Sequence, residues 1–152
     1  MIYCISKKLE ISAAHSLQLS YESKCSRMHG HNWQIEIFLV SRDKLNEDGM
    51  VEDFTHIKKV IHSKMDHANL NEIFDFNPTA ENIGKWIVEQ FDACYKVNIQ
   101  ESFGNTATVI DENKINKGYR VHRQVTQTGC RYSQTTKNEN LQSQRDILLT
   151  TG

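Results

Sequence analysis

Apolar and polar residues alternate along two stretches near the start of the chain. Leu9, Ile11, Ala13 and His15 form a period-two row, the spacing of a half-buried β-strand. A longer row runs His29, His31, Trp33, Ile35, Ile37, Leu39, with Asn32, Gln34, Glu36 and Phe38 on the opposite side. Residues 16–28, between the rows, are polar and aperiodic and read as a loop. Both rows carry histidine at the ends that this loop joins.

The spacing then changes to three and four residues. After a polar reversal at Asp48-Gly49, the positions Phe54, Ile57, Val60, Ile61 and Met65 predict a helix, capped by Asp53 or Thr55. A second helix follows Pro78, with Thr79 as N-cap, Glu81 in its first turn and Ile83, Trp86, Ile87 and Phe91 as its stripe. Gly84 inside it is tolerated at a modest cost. A third strand sets Tyr95, Val97, Ile99 and Glu101 on one face, and Thr106 to Ile110 gives a short fourth. The order ββααββ predicts an α+β fold, a four-stranded antiparallel sheet with both helices on one face. Residues 1–110 hold this pattern. From Asp111 to Gly152 the chain is polar, reads as a flexible tail, and offers only Tyr119, Val121 and Val125 as a possible edge strand.

Composition narrows the field. At 152 residues the chain fits one domain and can bury a core without disulfide staples. A net charge of −1 gives no strong field toward nucleic acid or membrane, so neither is expected as a partner. Four cysteines lie at wide spacings with no CxxC pair, and there is no signal peptide or membrane-length apolar run. A cytoplasmic, reducing setting with free thiols is the expectation.

The histidines are the candidate chemistry. Alternate residues of a strand share a face, so His29 and His31 project together across Gly30. Antiparallel pairing of the first two strands brings His15 beside them. Three neutral imidazoles can hold Zn²⁺ with one position left open for a substrate oxygen; the bland reading is ordinary polar residues at strand ends. Cys25 sits in the loop that delivers two of them. Near a dication its thiolate is favoured, as base or nucleophile; it could equally be a fourth structural zinc ligand or an inert small residue. Asp66-His67 suits a carboxylate–imidazole relay, or simply a capped helix end. Glu101 could accept the N–H fork of a heterocycle, or be a surface acid. Cys4 and Cys94 read as core and Cys130 as an exposed thiol. His56, His62 and His122 read as solvent-facing or satisfied.

Taken together, Ala13-Ala-His15-Ser-Leu17, Cys25-x3-His29-Gly-His31, Met50-Val-Glu-Asp53-Phe54, Met65-Asp66-His67-x2-Leu70-Asn71, Pro78-Thr-Ala-Glu81-Asn82 and Glu101 resemble the 6-pyruvoyl-tetrahydropterin synthase / 6-carboxy-tetrahydropterin synthase family. The resemblance covers residues 1 to about 110. It implies the tunnelling fold, with subunits joining their sheets into a β-barrel, as trimers stacked into a hexamer with active sites at subunit boundaries. It implies zinc on His15, His29 and His31, Cys25 as general base, Asp66 and His67 as its proton relay, and Glu101, with Thr79, on the pterin ring. The implied substrate is 7,8-dihydroneopterin triphosphate. The three residues between Cys25 and His29 resemble the bacterial carboxy branch of 7-deazaguanine (queuosine) synthesis, a zinc-dependent carbon–carbon lyase whose products are 6-carboxy-5,6,7,8-tetrahydropterin, acetaldehyde and triphosphate. The pyruvoyl branch and a non-catalytic pterin- or zinc-binding relative are the alternatives.

Overall fold

The computed structural model describes residues 1–116. In chain order it contains β1 (Ile2–His15), a 3₁₀ turn (Lys24–Ser26), β2 (His29–Arg42), α1 (Phe54–Met65), β3 (Ala68–Asn69), α2 (Leu70–Ile73), α3 (Ala80–Gln90), β4 (Cys94–Ser102), β5 (Asn105–Ile110) and α4 (Glu112–Asn116). The long antiparallel hairpin β1–β2 carries the fold. Its register pairs Leu9 with Ile35, Ile11 with Trp33 and Ala13 with His31, and sets His15 directly opposite His29. The odd-numbered face of that hairpin is buried under α1 and α3. Ile57, Ile61 and Met65 of α1, and Ile83, Ile87 and Val88 of α3, join Ile11, Trp33, Ile35, Ile37, Val97 and Ile99 in one core. The other face is polar and cross-linked, for example by Ser12 Oγ to Asn32 Oδ1 (3.0 Å) and Thr108 Oγ1 to Asn98 Oδ1 (3.0 Å). Such two-sidedness is normal for an antiparallel sheet.

The sheet is five-stranded and mixed, ordered β3-β1-β2-β4-β5, rather than four-stranded and antiparallel. β3 runs parallel to the end of β1, pairing Ala13 with Ala68 and Ala14 with Asn69. Two residues are too few to show a period. What places them is the exit of α1: His67 N–H donates to Ser12 O at 2.7 Å, and Ser12 N–H donates to Asp66 Oδ1 at 3.1 Å. Both helix caps follow local chemistry, Asp53 accepting from Thr55 N and Thr79 from Asn82 N.

Several apolar positions differ from the periodic expectation. Phe54 is exposed, because with Asp53 as cap it opens the first turn, beside the Lys7 ammonium 5.9 Å from its ring. In β4 Cys94 is buried, as expected, but Tyr95 is only half-buried while Val97 and Ile99 reach the core. The register shifts between Phe38 and Leu39, which pair with Lys96 and Cys94, leaving Tyr95 as an extra residue; such a bulge reverses the alternation. Cys4, expected in the core, is exposed. Gly84 lets α3 pack closely on β5: a Cβ there would meet Val109 Cγ2 at 2.7 Å. The chain also stays packed beyond residue 110. Lys114 Nζ donates to the α3-end carbonyls of Val88 (2.8 Å) and Phe91 (3.1 Å), and Arg42 Nη2 donates to Ile115 O (3.1 Å). The segment containing Tyr119, Val121, His122, Val125 and Cys130 lies outside the described residues. No helix among those described is long and apolar enough to cross a membrane.

Candidate metal centre

The hairpin brings three imidazoles to one end of the sheet. Ligand-capable atoms of His15, His29 and His31 all lie within 4.8 Å of one another, and the ring centroids of His15 stand 4.6 Å from His29 and 5.2 Å from His31. His15 is wholly buried; the other two are half-buried. Trp33, next on the same face, packs edge-on against His15 (5.0 Å) and His31 (5.5 Å) and limits their rotation.

Hydrogen bonds fix the tautomers. His15 Nδ1 lies 2.8 Å from Pro78 O and His29 Nδ1 2.7 Å from Arg27 O. A carbonyl only accepts, so each Nδ1 carries the proton and each Nε2 keeps its lone pair in the neutral ring. Nε2 of His15 and of His31 is buried without a hydrogen-bond partner among the described residues. Burial also holds both rings below the usual histidine pKa, a fall that Glu101 and, for His15, the Pro78 carbonyl partly offset. Neutral rings, with a backbone-fixed tautomer that leaves Nε2 a lone pair at His15 and His29, are the donor set zinc takes.

Side-chain amides anchor the loop that follows β1. Asn71 Oδ1 accepts from Ser16 N (2.7 Å) while its Nδ2 donates to Ser16 O (2.8 Å). Asn77 holds Gln18 in the same two-point manner, at 3.0 and 2.9 Å. These two asparagines are positioning residues that hydrophobic periodicity has no means of finding. Leu17 N–H donates to Cys25 O at 2.8 Å, which draws the Cys25 turn back toward the strand end.

The other candidates fall at different distances from the triad. Cys25 is exposed on the 3₁₀ turn and is not one of the grouped ligands. Glu101, half-buried at the end of β4, brings Oε1 to 3.3 Å from His15 Nε2 and 3.9 Å from His31 Nε2. The Thr79 hydroxyl is engaged in capping, at 3.2 Å from Asn82 N. Asp66 and His67 join β1 at Ser12, three residues before His15, which is about 10 Å along a strand. The Ser12 N–H holds the Asp66 carboxyl below its ordinary pKa. His67 has a left-handed backbone (φ 55°) and an 83% exposed side chain, its Nε2 3.8 Å from Asp66 Oδ2. His62 is expected to be solvent-facing or satisfied. Its Nδ1 lies 3.3 Å from Asp66 Oδ2, so Asp66 faces two imidazoles. The four-residue spacing on one helix was the available signal.

A cluster of three histidines that could hold a metal thus lies at the end of a sheet backed by two helices. The sequence profile described as 6-pyruvoyl tetrahydropterin synthase matches residues 4–112. The chain belongs to that family. It is 41% identical over 71 residues to the putative 6-carboxy-5,6,7,8-tetrahydropterin synthase of Pyrococcus horikoshii, a match covering 44% of this chain and 43% of that protein. It is 34% identical over 96 residues to the 6-carboxy-5,6,7,8-tetrahydropterin synthase of Bacillus subtilis, covering 59% of this chain and 65% of that one. The chain thus spans less than two thirds of either relative's length. The solved 6-pyruvoyl tetrahydropterin synthase of Caenorhabditis elegans superposes with a TM-score of 0.60 at 26% identity, covering 74% of this chain and 97% of that one.

Proposed function

We propose that this chain is a zinc-dependent 6-carboxy-5,6,7,8-tetrahydropterin synthase of the cytoplasm. It converts 7,8-dihydroneopterin triphosphate to 6-carboxytetrahydropterin, with release of acetaldehyde and triphosphate, and serves 7-deazaguanine (queuosine) synthesis. The observation that carries the reading is the convergence of three imidazoles whose buried Nε2 atoms at His15 and His31 have no hydrogen-bond partner among the described residues. The names of the two curated relatives and the three-residue Cys25–His29 spacing favour the carboxy branch.

His15, His29 and His31 hold the ion. When bound, zinc supplies a Lewis acid beside the substrate side chain. Glu101 accepts N–H donors of the pterin ring, and Thr79 lies near the ring's edge. Cys25, as thiolate, takes the proton from the side-chain carbon. Asp66 holds His67, which moves that proton onward. The distance along β1 between His15 and the Asp66-His67 pair suits a site assembled from two copies, with the relay of one facing the triad of another. A hexamer of two trimers, closing sheet edges into a barrel, provides that arrangement and covers exposed strand edges.

The test is incubation of the zinc-loaded protein with dihydroneopterin triphosphate, followed by mass spectrometry. Carboxytetrahydropterin with equimolar acetaldehyde is expected. A pyruvoyl product without acetaldehyde overturns the branch, and the likeness to the Caenorhabditis elegans structure makes that the second reading. Pterin binding without turnover overturns the enzyme.

A further inference from the structure

Hydrogen bonding leaves the position of the Glu101 carboxylate unexplained. Its Oε1 lies 3.3 Å from His15 Nε2 and 3.9 Å from His31 Nε2. His15 commits its one ring proton to the Pro78 carbonyl through Nδ1, so in the neutral ring Nε2 faces the carboxylate with a lone pair. Both Nε2 atoms are buried, and neither is hydrogen-bonded among the described residues. The His15 lone pair and a carboxylate oxygen repel at 3.3 Å unless a cation lies between them. A proton on one ring satisfies one contact, whereas one metal ion satisfies both.

We propose that Glu101 is a displaceable fourth ligand of the ion held by His15, His29 and His31. Four protein ligands make a closed zinc site and three make an open one, so the substrate-free centre is capped. What removes the cap rests on the pterin-synthase reading above. Two-point recognition of a heterocycle's N–H fork uses both carboxylate oxygens, and Oε1 is turned toward the histidines instead. Ring binding draws that oxygen away and opens the coordination position only when substrate is present. Glu101 then links ring recognition to exposure of the electrophile.

The test uses full-length protein loaded with Co²⁺, whose visible absorption reports its ligand set. Glu101→Gln is expected to change the band and to weaken Co²⁺ binding by at least about tenfold, in line with the effect of losing a supporting group at a metal site. Unsubstituted pterin, which has the ring and no side chain to reach the ion, is expected to move the wild-type band toward that of the variant. Identical bands and equal Co²⁺ affinity in wild type and Glu101→Gln overturn the ligand assignment. Pterin that binds, by fluorescence quenching, without moving the wild-type band overturns the displacement, and this arm needs no variant. Failure of pterin to bind at all overturns the displacement and the synthase reading together, while the pterin-free comparison still decides whether Glu101 is a ligand.

Discussion

Replacing Gly84 by alanine sets two known quantities against each other. Within a helix, alanine is favoured over glycine by about 1 kcal/mol. At this position the added Cβ meets Val109 Cγ2 at 2.7 Å and Val109 Cβ at 3.5 Å. Val109 is β-branched and stiff at χ1, so α3 and β5 must separate slightly. Overpacking of this kind costs about 1–3 kcal/mol. Gly84→Ala is therefore expected to range from neutral to about 2 kcal/mol destabilising, despite the better helix former. Val109→Ala alone loses about 1 kcal/mol, from two half-buried methyl groups. Once Val109 is trimmed, Gly84→Ala is expected to stabilise by its full propensity gain. Urea unfolding of the four proteins, at one protomer concentration to hold any assembly constant, gives the coupling energy. A value of about 1–3 kcal/mol supports the packing account; additivity within about 0.5 kcal/mol refutes it.

Other expectations concern the site. His29→Ala and His31→Ala should each lower bound zinc well below one per chain by elemental analysis, and retention of full occupancy by either variant would remove that ring from the ligand set. Because burial depresses the His15 and His31 pKa values, the unfolded chain takes up protons below about pH 6.5 that the folded chain refuses. Metal-free protein should hold this stability above pH 6.5 and lose it as pH falls toward the depressed values; a Tm unchanged between pH 7.5 and 5.5 contradicts the sign. Cys25→Ala should leave zinc content and Tm near wild type while turnover falls by at least about 10²-fold, the scale of general-base loss; full turnover excludes Cys25 as the base. The Cys94 thiol, pushed up to about 11 by burial, should resist iodoacetamide at pH 8 until the protein unfolds, whereas Cys4 and Cys25 are exposed. Peptide mapping by mass spectrometry reads this directly.

The hairpin, both principal helices and their caps were legible because each rests on local, repeated signals: alternation from Leu9 to His15, alternation from His29 to Leu39, and Asp53 and Thr79 placed just before apolar stripes. The same alternation put His29 and His31 on one face, and hairpin pairing brought His15 opposite His29. The histidine cluster thus follows from the sequence alone. Contacts between segments distant in sequence were not legible. β3 exists because Asp66 and His67 bond to Ser12; Gly84 gives Val109 room to pack; Glu101 faces His15 from another strand. A single bulge turned Tyr95 partly out of the core and left no trace in the alternation. Periodicity reports which face of an element turns inward, since that depends on residues a few positions apart. Which partner meets that face, which amide anchors a loop and which carboxylate approaches a buried lone pair depend on residues tens of positions away, and only the packed chain brings them within bonding distance.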